Sequence, residues 1–328
     1  MERWQFFRAE HTPHPDIDKL PLPPPWRRYA KHRPELLSDA KLPVELFGEE
    51  LRGTIYLAGE PEIDIVNTAL YLRRPLLITG DPGTGKTLLA YAVAYQLRLG
   101  PVLQWPITTR TTLHEGLYSY DAIARLQAVE QKESATDIGR YLRLGPLGTA
   151  LLPVRRPRVL LIDEFDKSDI DLPNDLLNVL EEGAFRVPEL ERLPEGETFD
   201  EVEVGTADNV RARIRRGLVQ CLEFPFVILT SNGERDFPPA FYRRCIRLEV
   251  APPSPEKLRE IVKLQLEPIQ ELAPIIERLL AEFSRRREAG HVLATDQLLN
   301  AVYLAMHNRD LNEDAMRRLQ EVLLRALR

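Results

Sequence analysis

The sequence predicts an α/β protein with a mostly parallel sheet, helices on both faces, and a small helical domain towards its C-terminal end. Apolar strand patterns alternate with helical patterns from residue 49 to residue 250, which is typical of parallel sheets. A glycine-rich loop, residues 80–87, stands between one such strand and the helix after it. A proline-rich boundary at 251–255 is followed by helical patterns alone. These three observations predict the fold class.

The composition is that of an ordinary globular protein. The chain has 328 residues, enough for two domains, with 44% hydrophobic and 29% charged residues. Its net charge of −6 gives no support to a nucleic-acid-binding surface. Two cysteines are too few for a disulfide framework, and the sequence has neither a signal-peptide pattern at its start nor a membrane-span pattern. We therefore expect a cytoplasmic protein that acts away from membranes.

Three parts are expected along the chain. Residues 1–45 are proline-rich with interleaved aromatic residues, so we expect an extended segment that docks on the main domain or on a partner. Residues 46–250 form the predicted α/β domain. Residues 251–328 form the predicted helical domain.

The elements of the α/β part follow from apolar runs and their periods. In chain order we predict a helix at 63–72, a strand at 75–79, a helix at 88–97, a strand at 101–105, a helix at 121–133, a strand at 158–163, a helix at 172–182 and a strand at 224–230. Residues 189–217 are charged without a clear period and predict a surface hairpin or excursion. The last part predicts helices near 256–270, 274–289, 295–309 and 312–327, the last with capping-box spacing at Asp310 and Glu313.

The loop at residues 80–87 reads Gly-Asp-Pro-Gly-Thr-Gly-Lys-Thr and fits the phosphate-loop pattern G-x-x-x-x-G-K-[ST]. Its glycines let successive N–H groups point at phosphate oxygens, and the following helix adds its N-terminal partial charge. Lys86 is predicted to reach the β- and γ-phosphates and the Thr87 hydroxyl to bind Mg²⁺. A chance glycine turn is the alternative, and the flanking strand and helix argue against it. The predicted nucleotide-binding residues are Asp81, Pro82, Gly83, Thr84, Gly85, Lys86, Thr87 and Leu88.

Two further strand ends carry polar side chains. Asp163 and Glu164 close an apolar strand, where the first can hold the Mg²⁺ shell and the second can accept a proton from the attacking water or orient it. Their alternative is a capping pair at a helix start. Asn232 closes the next strand, where its amide can reach the γ-phosphate or the water. Its alternative is a turn, since Asn-Gly is a strong turn pair. In parallel sheets, ligands bind beyond these strand ends.

An arginine pair follows that strand. Arg243 and Arg244 lie a short distance after Asn232 in the sequence. A permanently charged, fork-shaped guanidinium suits phosphate binding. A solvated charge pair is the alternative.

This ordered set of motifs, with the helical part after it, resembles an AAA+ ATPase. More narrowly, three stretches resemble the MoxR-type ATPases, at 116–126, 144–148 and 163–177. The resemblance covers about residues 50–310. It implies an AAA+ P-loop NTPase fold, in which the C-terminal helices form a lid over the nucleotide.

The resemblance also implies roles for the site residues. Lys86 and Thr87 would bind ATP and Mg²⁺, Asp163 would support Mg²⁺, and Glu164 would activate water. Asn232 would sense the γ-phosphate, and Arg244, or Arg243, would be the arginine finger given to a neighbouring subunit. The assembly implied is a ring, most commonly a hexamer. Its work would be chaperone-like remodelling or activation of a partner protein. In many relatives the partner carries a von Willebrand factor A domain, and other relatives appear in bacterial conflict or stress systems.

One departure from the family concerns the lid. In many relatives a basic residue at or just before the start of a lid helix touches the nucleotide. Residues 293–297 here read Leu-Ala-Thr-Asp-Gln, and His291 is the nearest candidate. We therefore expect slow or partner-dependent hydrolysis.

Other functions are weighed against ATP-driven remodelling. A nucleotide-dependent switch or scaffold with little turnover would suit the altered lid. A DNA-acting motor has no helix-turn-helix, zinc site or basic run to support it. A small-molecule kinase fits poorly with Asp163-Glu164 followed by Asn232 and Arg244.

Overall fold

The structure is a computed structural model that describes residues 4–27, 49–130, 137–193, 200–266, 273–308, 321 and 323. Its strands are Leu76–Thr79 (β1), Leu103–Pro106 (β2), Tyr118–Tyr120 (β3), Leu142–Leu144 (β4), Val159–Asp163 (β5), Ala184–Arg186 (β6), Glu201–Gly205 (β7), Arg211–Arg215 (β8), Leu218–Gln220 (β9), Phe226–Ser231 (β10) and Ile246–Glu249 (β11). Its α-helices are Glu49–Thr54 (α1), Glu60–Leu72 (α2), Lys86–Gln96 (α3), Leu113–Leu117 (α4), Ala122–Glu130 (α5), Pro146–Ala150 (α6), Leu172–Glu182 (α7), Pro188–Glu191 (α8), Pro239–Tyr242 (α9), Pro255–Leu266 (α10), Ala273–Glu288 (α11) and Thr295–His307 (α12).

The central sheet is parallel, with strand order β11–β1–β10–β5–β2. This confirms the predicted fold class, and β1, β2, β5 and β10 fall where strands are predicted. The edge strand β11 is not predicted from the sequence. Only Leu248 is buried in it, so it has neither a continuous apolar run nor a long alternation.

Both faces of this sheet are covered, because its central strands carry apolar side chains on both sides. On β1, Leu77 joins one apolar cluster, which includes Leu176 of α7. Leu76 and Ile78 join the other, which includes Leu89 of α3. This is why the central strands read as continuous apolar runs rather than as alternating ones. Their carboxyl ends, where the predicted site residues lie, share one edge of the sheet.

A second sheet has the strand order β3–β4–β7–β8–β9–β6. Its β7–β8 hairpin lies within the predicted excursion, of which residues 194–199 fall outside the described ranges. Val202 and Ile214 face the cluster beneath the central sheet, while Glu203 and Arg213 form an exposed cross-strand pair. The hairpin alternates buried and exposed residues, but strands of three to five residues are too short to predict a whole sheet.

The N-terminal segment, as far as residue 27, packs on the α/β part. Phe7 is fully buried, and Asn67 of α2 accepts hydrogen bonds from the backbone N of Phe6 and Phe7 at 2.7 and 3.0 Å. Farther along, the guanidinium of Arg27 donates to the Leu180 carbonyl. Residues 28–45 of the predicted extension lie outside the described ranges.

Helices α10, α11 and α12 surround an apolar cluster of their own, which includes Leu258, Phe283 and Leu298. Of the fourth predicted helix, near 312–327, only residues 321 and 323 are described, so the capping box at Asp310 and Glu313 stays a prediction. Within the described ranges, no helix is long and apolar enough to cross a membrane.

Candidate functional site

The phosphate loop joins the end of β1 to the start of α3 and contacts the C-terminal helices. Gly85, just before α3, has a φ of 89°, and Gly83 has a φ of 74°, a region that favours glycine. The Gly83 carbonyl accepts from the Thr295 backbone N at 3.2 Å. A Cβ at Gly83 would lie 2.2 Å from the Cβ of Ala294. Glycine at this position therefore allows the lid helices to approach the loop closely.

The remaining loop residues surround this contact. Thr84 Oγ1 donates to the Asp81 carbonyl at 2.9 Å. Asp81 is exposed and Pro82 half-buried, while Leu88 packs against the apolar cluster on the α3 side of the sheet. The loop is therefore held by a hydrogen bond of its own and by the packing of Leu88 against the sheet.

Lys86 is buried and makes three hydrogen bonds through its ammonium group. Nζ donates to the carbonyls of Gly80 and Asp81 and to Oδ1 of Asn232, each at 2.8 Å. Burial lowers the pKa of Lys86, and nearby carboxylates, Asp166 first among them, act in the opposite direction. The structure thus brings the predicted phosphate-binding lysine and the predicted γ-phosphate sensor into direct contact.

The predicted Mg²⁺ residues are also adjacent. Thr87 Oγ1 donates to Asp163 Oδ1 at 3.1 Å, and Thr230 Oγ1 donates to the same oxygen at 2.6 Å. A hydroxyl and a carboxylate are the hard oxygen ligands that Mg²⁺ prefers, and the ion normally completes its shell with water and phosphate oxygens. The residues present therefore fit a magnesium ion bound together with nucleotide.

Glu164 follows Asp163 in a left-handed conformation, with a φ of 57°. This conformation is uncommon for a non-glycine residue and occurs often at functional sites. The carboxylate accepts from Lys167 Nζ at 2.7 Å, and both side chains are partly exposed. This hydrogen bond raises the pKa of Lys167. The pairing of the predicted catalytic base with a cation is not predicted from the sequence.

The two arginines lie apart from this cluster. Arg244 donates through Nε to Glu181 of α7 and through Nη1 to the Ala240 carbonyl. Arg243 is exposed. Among the described contacts, neither arginine forms a hydrogen bond or ion pair with a residue of the phosphate loop or with Glu164.

Two clefts adjoin the loop. One cavity of about 300 Å³ lies between the loop and the lid, lined by Tyr56, Leu88 and Lys257 among others. A second, of about 430 Å³, has the loop residue Asp81 on one side and His291 and Arg287 on the other. Arg287 also donates to the Pro253 carbonyl at 2.9 Å.

Arg287 is thus a basic lid residue beside the loop that the sequence did not single out. It lies in α11, away from the helix start where a basic residue was sought. Only the docking of the lid on the loop brings it near, so no local sequence signal could have found it.

This fold and site define a P-loop nucleotide-binding protein. The sequence model of the AAA domain, dynein-related subfamily, matches residues 75–245, which is just over half of the chain. The chain belongs to this family of AAA ATPase domains, which includes the MoxR-type ATPases. AAA domains generally bind ATP with Mg²⁺ and often oligomerise. No curated protein matches the chain.

Proposed function

We propose that this protein is an ATP-hydrolysing remodelling ATPase of the MoxR type. The observation that carries the proposal is the grouping of Lys86, Asn232, Thr87 and Asp163 at the carboxyl ends of adjacent strands, with two hydrogen bonds joining them in pairs. This is the equipment that phosphoryl transfer requires, because its catalysis is mostly positioning and charge stabilisation.

Lys86 would bind the phosphates of ATP. Its present acceptors are neutral carbonyl and amide oxygens, which charged phosphate oxygens can replace. Burial in a low-dielectric setting strengthens that attraction. The backbone N–H groups of the loop and of the first turn of α3 would complete the cradle.

Thr87 and Asp163 would hold Mg²⁺, which neutralises charge on the β- and γ-phosphates. Thr230 donates to the same Asp163 oxygen and accepts from the Glu164 backbone N at 2.9 Å. The carboxylate that holds the metal and the residue that follows it are therefore fixed by one side chain.

Glu164 would take the proton of the attacking water, for which its carboxylate must leave Lys167. Arg244 would stabilise the charge of the transition state at a neighbouring subunit, with Arg243 as the alternative. Among the described contacts, neither candidate arginine bonds a residue of its own phosphate loop, and this supports a role in trans. We infer that the subunits form a ring, by resemblance a hexamer. Each subunit would have an N-terminal extension at 1–45, an α/β domain at 46–250 and a lid domain at 251–328.

The partner would be a protein, and the von Willebrand factor A domain of many relatives' partners makes such proteins the first to test. A bacterial conflict or stress system in the cytoplasm is the setting we propose. Nucleic acid is not the expected partner, given the net charge of −6.

A nucleotide-dependent switch with little turnover is the second candidate. One observation favours it: the Glu164 carboxylate is paired with Lys167. This pairing would slow hydrolysis in the isolated protein.

Steady-state ATPase assays, with and without a candidate partner, separate these functions. We expect a slow basal rate that the partner raises and that depends on Mg²⁺. Tight ATP binding with no turnover under either condition would support the switch instead. Absence of ATP binding would overturn both.

A further inference from the structure

Asp166 is a buried carboxylate beside the proposed site to which no role has been given. It lies on the 3₁₀ turn Phe165–Lys167, which follows the left-handed Glu164. Its side chain sits under the turn that follows β10, and the residue is only 5% exposed. Burying a charged carboxylate is costly unless it is paired or hydrogen-bonded.

One oxygen of Asp166 fixes the turn that carries Asn232. Oδ2 accepts from the backbone N of Asn232 at 2.8 Å and from the backbone N of Glu234 at 3.1 Å. Between them, the backbone N of Gly233 donates to Ser231 Oγ at 3.0 Å. The three successive N–H groups are thus bonded to side chains, so the position of Asn232 does not depend on a bound ligand.

The other oxygen of Asp166 raises the question of why a carboxylate, rather than an amide, occupies this place. Oδ1 is buried and has no hydrogen-bond partner among the described residues. An asparagine side chain would accept from the same two N–H groups at a lower desolvation cost. The charge itself therefore needs a reason, and Lys86 supplies one, since Asp166 exerts the largest of the carboxylate effects on that ammonium group.

Lys86, Asn232 and Asp166 therefore form a connected chain. Lys86 Nζ donates to Oδ1 of the Asn232 amide. Nδ2 is the donor group of that amide and can bond a phosphate oxygen. Asp166 holds the backbone of Asn232 and provides negative charge near Lys86.

We propose that Asp166 is a positioning residue for the terminal phosphate of a nucleoside triphosphate, acting through Asn232. This inference rests on the proposed function. It would add, to the contact that Lys86 makes with the γ-phosphate, a second contact through Asn232 that distinguishes a triphosphate from a diphosphate. Asp166 would act on the terminal phosphate through the turn that carries Asn232, so we expect its effect on triphosphate binding to depend on Asn232.

The test is a double-mutant cycle on the full chain. Calorimetry measures the affinity of Asp166→Ala, Asn232→Ala and the double variant for ADP and for a non-hydrolysable ATP analogue, and steady-state assays measure kcat and KM. We expect Asp166→Ala to keep its ADP affinity and to lose at least about tenfold in affinity for the analogue, the size expected for hydrogen bonds to a charged group. The double variant should match Asn232→Ala within about twofold, since groups that act as a unit are not additive.

Matched variants keep the test decisive. Asp175→Ala removes an exposed carboxylate from α7 and should leave both affinities unchanged. Asp166→Asn keeps the shape and an acceptor oxygen but loses the charge, and should fall between wild type and Asp166→Ala. It also takes the place of the alanine variant in the cycle if that variant does not fold.

Two results would overturn the inference while leaving the proposed function intact. One is full additivity of the Asp166 and Asn232 changes. The other is an unchanged preference for the triphosphate in both Asp166 variants while Asn232→Ala loses it. If wild type itself binds neither nucleotide, the proposed function fails and the inference with it.

Discussion

The phosphate-loop site and the arginine pair differ in whether a single chain brings their functional residues together. At the loop, Lys86 contacts Asn232, and Thr87 contacts Asp163. At the pair, Arg244 is engaged by Glu181 on its own surface. Parallel strands bring their carboxyl ends to one edge of a sheet, so the first region is assembled by the fold itself. A site that takes a side chain from a neighbouring subunit forms only in a head-to-tail assembly.

The largest effect should follow from removing the central cation. Lys86→Ala removes a buried charge that three acceptors now hold and that phosphates would need. We expect nucleotide binding to be lost in calorimetry, because the backbone cradle alone is too weak to compensate. Lys263→Ala, which removes an exposed lysine from α10, is the control. Unchanged ATP affinity in Lys86→Ala would show that the loop assignment is wrong.

Arg244→Ala should bind ATP yet lose about 10³- to 10⁵-fold in turnover, the range for an arginine supplied in trans. Mixing the Arg244→Ala and Glu164→Gln proteins tests whether Arg244 acts at a neighbouring subunit. In that case each junction takes Glu164 from one chain and Arg244 from the next. In an equal, freely exchanging mixture about a quarter of the junctions pair two intact residues, so some activity should return.

Two outcomes would revise the role of Arg244. If co-assembly is proven and mixing never restores activity, the trans role is wrong. If Arg244→Ala keeps full activity, Arg243 becomes the finger candidate, and the same mixing test applies to Arg243→Ala.

Glu164→Gln should bind ATP and lose about 10²- to 10⁴-fold in turnover, because glutamine keeps the shape but cannot take a proton. Retained ATP should favour assembly, which light scattering would detect as a larger mass. Glu182→Gln, an exposed change on α7, is the matched control. Wild-type turnover in Glu164→Gln would remove this residue from the mechanism.

The same comparison explains what sequence could and could not predict. The loop, Asp163 and Asn232 each follow an apolar strand, and their meeting follows from a parallel sheet. Asp166 and Lys167 lie shortly after Glu164 in the sequence, but their contacts depend on the left-handed conformation of Glu164 and on the short turn after it. No periodicity of apolar residues predicts such a turn.

Packing between distant parts of the chain cannot be predicted from these sequence patterns either. Arg287 is brought beside the loop only by the docking of the lid helices. The second sheet is built from strands of three to five residues, whose alternation is too short to be distinguished from loop.

The smallest effect should come from substituting Lys167, which lies at the edge of the phosphate-loop site. Its ammonium group is 2.7 Å from the Glu164 carboxylate, with side-chain exposures of 40% and 46%. Exposed ion pairs contribute at most about 1 kcal/mol, so freeing Glu164 by Lys167→Gln should raise kcat by no more than about fivefold and leave KM unchanged. Steady-state assays over a salt series provide the measurement. Salt screens exposed pairs, so wild-type kcat should rise with ionic strength while that of Lys167→Gln stays flatter. Lys167→Arg keeps the charge and should behave as wild type, and the double variant with Glu164→Gln should stay inactive.

A fall in kcat in Lys167→Gln would mean that the lysine supports the base rather than restraining it. Glu164 would then belong wholly to the region that one chain completes, and slow turnover would have to be traced to the arginine pair and its neighbour.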